Sequence, residues 1–299
     1  MNYDEYLEEF FRVYDYPAEA VTVLNRAYKV LVADSDFRAL LKAYDDNMYC
    51  DVSDLVVRMK AVSANCGIHE YTGCLVLLIC LTRRLKAYYI QNKLPLSVFY
   101  DSMADLKYKL TECKLVKHVW GTFVGEWFKG FFELTRFGFD RLQCEYFHLS
   151  RTVTVNGVTV TPDTPLIMVH IPRSGKRLDR ENRIKSYLMA KDFFTERGYI
   201  KDNAVFYCES WLLFPKNLAM LKPTSNLYGF IKDYTLIDSG FYDTYGKMAW
   251  RLFDCEFESV DKLPADTSFR RAYIRLFQSG EKAGFGEGLF MFGIPKENS

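Results

Sequence analysis

Leu166, Ile167, Met168 and Val169 form an unbroken apolar run, closed at Pro172 and followed by a stretch in which Ile184, Leu188, Phe193 and Phe194 recur near helical spacing. A continuous apolar run suits a strand buried on both faces of a sheet better than one with a wet face. Proline lacks an N–H and fixes φ, so the ladder stops there and the strand covers Leu166 to Ile171. The spacing beyond it predicts an amphipathic helix over about Leu178 to Thr195, and Asn203 to Phe214 is strand-like again. Strand, loop, helix and strand in this order imply a crossover connection. In open α/β sheets the junction after the first strand is where ligands are held, which singles out the loop Pro172 to Arg177.

That loop is basic. Arg173, Lys176, Arg177, Arg180, Arg183 and Lys185 stand against Asp179 and Glu181, a local excess of about four positive charges that favours a polyanion. Ser174 and Gly175 supply a small, permissive backbone just before a helix start, where free N–H groups and the helix dipole can receive phosphate. Asp179 and Glu181 have an ordinary use too, since carboxylates in a first turn satisfy a helix N-terminus with no ligand present. A basic helical face is also a common solvated surface.

At 299 residues the chain is long for one domain. Apolar residues make up 49% and aromatics 16%, enough for sizeable cores without metal or disulfide staples. The formal charge of +1 gives no support for a nucleic-acid or membrane-surface partner. The eight cysteines show no paired C-x-x-C spacing and sit mostly inside apolar segments, as reduced core cysteines do. Met1 to Phe10 is acidic, with no basic segment leading into an apolar core, so a secretory signal is not expected and a cytoplasmic location is. Cys74 to Leu81, the most apolar run, is far below the ~20 residues of a membrane span.

From Pro17 to about Arg136 nearly every segment carries helix signals. These are Ala18 to Leu31, a short helix capped at Asp34 or Ser35, Asp51 to Ser63, a central helix over Glu70 to Gln91, and Pro95 to Cys113. Trp120, Phe123, Trp127, Phe131 and Phe132 add an aromatic stripe at helical spacing, which serves a core more often than a cofactor. The character changes near Gly138. Arg141 to Leu149 and Val153 to Val160 are β-branched or alternating, and Asn156-Gly157 between valines signals a hairpin. Beyond the central unit, Tyr234 to Ile237, Met248 to Phe257 and Gly288 to Phe292 look like strands and Thr267 to Phe277 like a helix. The expected fold is α+β: an all-helical bundle over residues 1–138, then an α/β domain with a mixed central sheet over residues 139–299.

Few residues carry obvious chemistry. Gly284, Gly286 and Gly288 make a G-x-G-x-G run, but it precedes a strand and follows a helix, the reverse of a phosphate loop, so a turn or bulge is expected. His170 ends the first strand of the central unit, while Cys208, Glu209 and Ser210 lie on the second. If those strands are neighbours, His170 or Glu209 can take a proton from an amine beside the basic loop. Each also has a structural use, His170 as a hydrogen-bonded strand residue and Glu209 as a solvent-facing one. Cys208 with His170 as a thiol nucleophile lacks a local signature and an orienting third group. Cys66-x-x-His69 has no second pair at ligand spacing, so no metal site is expected.

The chain resembles a family of bacterial two-domain proteins classed as N-acyltransferases, with a helical N-terminal domain and a GNAT-like C-terminal domain. The resemblance rests on His170-Ile171-Pro172 before the loop and helix, Ser210-Trp211-Leu212-Leu213 with Pro215 soon after, Ser225-Asn226 before the segment ending at Phe230, and Arg141-Leu142-Gln143. It implies an acyl-CoA or acetyl-CoA co-substrate whose pyrophosphate is held around Arg173, Ser174, Gly175 and Lys176, and whose thioester is polarised by strand N–H groups near Cys208 to Ser210. It further implies an amine acceptor, Glu209 or His170 as base, and Tyr228 as proton donor to the departing thiolate. Only Gly175 of the superfamily's Arg/Gln-x-x-Gly-x-Gly/Ala pattern is present. That leaves two alternatives open: a non-catalytic module that keeps the fold as a binding platform, and an acyl-CoA cleft in the later unit Met248 to Phe292.

Overall fold

The computed structural model describes residues 2–201 and 203–292. Its chain divides into two compact units, Met1–Gly138 and Phe139–Ser299.

The first unit is helical: α1 Tyr3–Val13, α2 Ala18–Leu31, α3 Ser35–Asp46, α4 Val52–Asn65, α5 Glu70–Gln91 and α6 Leu96–Lys117. Local chemistry sets several starts. Asn2 and Glu5 form a capping box on α1, and Asp34, Asp51 and His69 cap α3, α4 and α5 by accepting backbone N–H bonds. His69 Nδ1 thus serves as a cap. α5 is the axis of the bundle, buried continuously from Thr72 to Thr82, and α1, α2, α3, α4 and α6 all pack against it. Each large apolar side chain enclosed this way contributes about 1.5–3 kcal/mol of transfer free energy.

The aromatic stripe after α6 is not one helix. Gly125–Phe128 is a 3-10 turn and α7 covers only Lys129–Phe132, with Phe128, Phe131 and Phe132 in the core. Glycines explain the break. A Cβ at Gly121 would stand 2.3 Å from the Tyr71 carbonyl carbon, and one at Gly125 would stand 2.4 Å from Cys74 Sγ, so the segment lies flat on α5.

The second unit continues from β1 Arg136–Phe139 into β2 Leu142–Phe147, the hairpin β3 Val153–Val155 and β4 Val158–Val160, β5 Leu166–His170, α8 Arg180–Glu196 and β6 Val205–Ser210. After β6 come a 3-10 turn at Trp211–Leu213, α9 Asn217–Met220, α10 Asn226–Asp233, β7 Thr235–Phe241, α11 Gly246–Met248, α12 Ser268–Gln278 and β8 Gly284–Met291. Six strands form a mixed sheet in the order β1-β2-β5-β6-β8-β7. β5 and β6 run parallel at its centre with α8 as their crossover, and β2 and β8 flank them antiparallel. The architecture is α+β, a helical region followed by a mixed-sheet domain.

Each sheet face has its own cover. Ile167 and Phe206 are register partners on the face covered by α8, where the buried Tyr187 ring lies 4.8 Å from Phe206 and 5.0 Å from Phe290. Such ring pairs add about 0.5–1.5 kcal/mol each beyond burial. The opposite face carries Leu166, Val205, Tyr207, Leu289 and Met291, and the hairpin covers them with Val155 and Val160. Asn156 and Gly157 turn that hairpin at φ 49° and 74°, the paired left-handed geometry an Asn-Gly turn supplies.

Two expectations for the C-terminal third fail. Met248 to Phe257 is not a strand: α11 runs into a π-helical turn at Ala249–Phe253, and the buried positions Met248, Ala249 and Phe253 recur at a helical period instead of two. A second strand-helix-strand unit starting at Met248 therefore does not exist as an alternative cleft. Gly284, Gly286 and Gly288 lie inside β8, not in a turn, and the irregularity is in β7, between Leu236 and Asp238.

Candidate functional site

The central parallel pair is incomplete. Ladder pairing between β5 and β6 is confined to Ile167↔Phe206 and Met168↔Tyr207. Their outer edges stay paired further, β5 with β2 up to His170↔Gln143 and β6 with β8 up to Ser210↔Gly286. Past Met168 and Tyr207 the inner edges of Val169–His170 and Cys208–Ser210 thus form a wedge lined by backbone groups that the β5–β6 ladder does not use. Pro172 fits this, because β5 cannot continue beside β6 through it.

A row of polar side chains crosses the sheet at the level of this wedge. Register places Gln143 opposite His170, and Glu209 opposite Glu287, which also faces Asp238. Continuing the β5–β6 offset by two residues brings His170 level with Glu209, on the hairpin-covered face. His170 Nε2 lies 3.1 Å from Glu145 Oε2, and both side chains are mostly buried. This contact fixes the orientation of the imidazole. Glu209 is exposed and accepts from the Tyr207 hydroxyl at 3.4 Å. Burial, reinforced by the charges of Glu287 and Glu209, pushes the Tyr207 phenol well above its usual range and keeps it protonated. Arg151 neutralises Glu287 at 2.8 Å and reaches Asp238 at 3.4 Å.

The basic loop is less open than its composition implies. Arg173 pairs with both carboxylate oxygens of Asp254, which also receives Arg270 at 2.6 Å. Lys176 and Lys185 share Asp140 Oδ1, at 2.5 and 3.0 Å. For Asp254 and for Asp140, burial raises the carboxyl pKa, but the hydrogen bonds and charges of the paired cations outweigh it and hold each below the usual range. The sign follows. Stability from these pairs is complete above the unfolded carboxyl value near ~4 and is lost as pH falls through the lowered folded values. Thermal midpoints measured from pH 6 down to 3 should therefore decline, and Asp254→Asn should flatten part of that decline.

Other loop features remain suited to an anion. Ser174 Oγ is enclosed without a hydrogen-bond partner, and nothing lies within 4 Å of a Cβ built on Gly175. Asp179 caps α8 by accepting from Asn182 N at 3.0 Å, so its own carboxylate already serves that helix end. Ser210 caps the following 3-10 turn through Leu212 N, and Cys208 is fully buried on the α8 side, where burial pushes its thiol up. Cys208 and His170 side chains therefore point to opposite faces, which removes a cysteine–histidine nucleophile pair. Tyr228 lies in the first turn of α10, whose N-cap Ser225 accepts from Tyr228 N, and α10 packs against α8. The structure thus places the His170 and Glu209 side chains on the same sheet face and sets Tyr228 on an element of the other.

Glu145, Gln143, Asp140 and Asp254 were not singled out from sequence as site residues. Gln143-x-Glu145 did carry a signal, since alternate residues of β2 share a face and β2 borders β5. Among the described residues no group of three His, Cys, Asp or Glu could hold a metal ion, and no helix is long and apolar enough to cross a membrane.

Comparison with known proteins adds the following. Residues 134–290 match the family described as GNAT-like C-terminal domain, and residues 5–134 match the N-acyltransferase N-terminal domain. No curated protein sequence matches the chain. Among solved structures, an acyltransferase in complex with decanoyl-CoA and teicoplanin is 18% identical with a TM-score of 0.73, covering 95% of this chain and 87% of that one. A mutant acyltransferase in complex with octanoyl-CoA is also 18% identical at TM-score 0.73, with 96% and 88% covered. A third, with decanoyl-CoA alone, is 17% identical at TM-score 0.70, with 95% and 86% covered. At such identity the likeness carries the fold.

Proposed function

We propose, starting from the fact that this chain belongs to the N-acyltransferase family with a GNAT-like C-terminal domain, that it moves an acyl group from an acyl-CoA thioester to an amine. The observation that carries this reading is the wedge between β5 and β6 with the His170–Glu145 pair at its edge. A thioester lying in the wedge can receive hydrogen bonds on its carbonyl oxygen from strand N–H groups near Cys208 to Ser210, which stabilise the charge that develops there. The amine attacks the carbonyl carbon from the face of His170, which takes the amine proton while Glu145 stabilises the imidazolium. Collapse breaks the C–S bond, and the thiolate takes a proton, with Tyr228 on the α8 and α10 side as donor. Crystals of similar acyltransferases with decanoyl-CoA and octanoyl-CoA support a medium-chain donor.

Ser174, Gly175, Arg173 and Lys176 are the groups for the diphosphate. Arg173 and Lys176 would exchange their carboxylate partners for phosphate oxygens, and the partnerless Ser174 hydroxyl is ready to donate. Replacing Arg173 and Lys176 together by Ala should weaken decanoyl-CoA binding about tenfold or more by calorimetry. Unchanged affinity would remove this loop from the site. The engaged state of both cations favours one rival, a binding module without turnover. Incubation with decanoyl-CoA and a panel of amines separates them, because only the transferase releases free thiol.

A further inference from the structure

Arg173 and Lys176 are each held by an acid that has a second cation of its own. Asp254 pairs through both carboxylate oxygens with Arg173 and also receives Arg270 at 2.6 Å. Arg270 is anchored independently, by the Leu252 carbonyl at 2.7 Å and by Asp266 at 3.0 Å. Asp140 Oδ1 takes Lys176 at 2.5 Å and Lys185 of α8 at 3.0 Å. The Arg173 and Lys176 side chains are 40% and 48% exposed, those of Asp254 and Asp140 only 20% and 9%, so a ligand arriving from solvent meets the cations first. Breaking an enclosed ion pair is costly chiefly because it strands the charge left behind. Here neither acid is stranded: when Arg173 turns to a phosphate oxygen Asp254 keeps Arg270, and when Lys176 does so Asp140 keeps Lys185. We propose that Asp254 and Asp140 are internal anions that compete with the donor's diphosphate for Arg173 and Lys176, an autoinhibitory contact that holds the loop before the donor arrives and weakens its grip on CoA afterwards.

This competition presupposes the diphosphate loop of the reading above. Whatever free energy a carboxylate contact contributes to the free protein is lost when a phosphate takes its place, and is subtracted from the affinity. Removing the carboxylate returns it. Stability moves the other way, because in the free protein Asp254→Asn removes a native contact, whereas in the loaded protein Arg173 has already left Asp254. Affinity and the thermal midpoint of the free protein therefore change in opposite directions, and the rise in midpoint on adding donor is larger in the variant. An acid that only shaped the loop gives a different pattern, with binding weakened along with the midpoint. Free CoA carries the same diphosphate as decanoyl-CoA, so both ligands gain by the same factor.

Calorimetric titration of the full chain with decanoyl-CoA and with CoA provides the test, on the native protein, Asp254→Asn, Asp140→Asn, Arg173→Ala and Arg173→Ala combined with Asp254→Asn. Asparagine keeps the size of the side chain without its charge, and at position 254 it tolerates the φ of 60°. Asp254→Asn and Asp140→Asn should each bind both ligands about 3- to 10-fold tighter, with a lower midpoint in the free protein. In the Arg173→Ala protein, which binds more weakly, adding Asp254→Asn should leave the affinity unchanged, since the cation being competed for is gone. Asp254→Asn decides alone where the more enclosed Asp140 does not tolerate the change. Affinity that stays the same or falls in Asp254→Asn, while Arg173→Ala still weakens binding, overturns the competition and leaves the loop in place. Native affinity in the protein with both Arg173 and Lys176 replaced by Ala overturns the loop itself, and the competition with it.

Discussion

Replacing His170 with Gln is expected to lower kcat for acyl transfer by about 10²- to 10⁴-fold while leaving acyl-CoA affinity unchanged. Glutamine preserves much of the side-chain volume and can still hydrogen-bond Glu145, so the fold survives. What it lacks is a nitrogen that can accept a proton near neutral pH. The effect should fall on kcat and not on the KM for decanoyl-CoA, because His170 acts only once the amine is in place. Glu145→Gln should cost a comparable amount, since the amide can donate to Nε2, which moves the ring proton to the other nitrogen, and the carboxylate that stabilises the protonated imidazole is lost. Thiol release under saturating decanoyl-CoA gives the measurement. Full turnover in the His170→Gln protein would move the base elsewhere, with Glu209, exposed at the same level of the sheet, next in line.

The His170–Glu145 pair also shows where reading a sequence reaches and where it stops. β5, α8 and β6 were legible because their cues are local: an apolar run stopped by Pro172, a helical stripe, and a second apolar run. The helices of the first unit were legible for the same reason, with caps such as Asp34 and Asp51 next to the segments they start. Partners brought from elsewhere were not legible. Asp254 is 81 residues from Arg173 and Asp140 is 36 residues from Lys176, so a loop that counts as strongly basic along the chain is partly neutralised in space. Glu145 reaches His170 across 25 residues because β2, not β6, is the neighbour that β5 pairs with along its whole length. The π-helical turn was misread as a strand because a short run of large apolar residues has no period of its own. At its end Asp254 adopts φ 60°, a conformation Asp tolerates, held there by Arg173 and Arg270.

The glycines of β8 were legible only as composition, and Gly286→Val tests what they do. Valine favours strands and would gain up to about 1 kcal/mol over glycine from propensity alone. Space decides the sign against it. A Cβ on Gly286 would stand 2.3 Å from the Leu213 carbonyl oxygen and 2.8 Å from its carbon, both backbone atoms that no side-chain rotation can move. The 3-10 turn Trp211–Leu213 would have to lift off the sheet, and with it the enclosed Leu213 side chain and the Ser210 cap. Overpacking against side chains already costs about 1–3 kcal/mol, and displacing a backbone turn puts the expected loss at the upper end or beyond. For a domain this size that is a fall of about 6–12 °C in the thermal midpoint. Gly175→Ala, where open space surrounds the added carbon, is the control and should leave the midpoint nearly unchanged. Because Gly286 is the register partner of Ser210 at the end of β6, the same substitution should also weaken decanoyl-CoA binding. A Gly286→Val protein as stable as the native one would mean that the turn does not rest on β8, and the wedge would then lack the floor that keeps β6 in place while its inner edge stays unpaired.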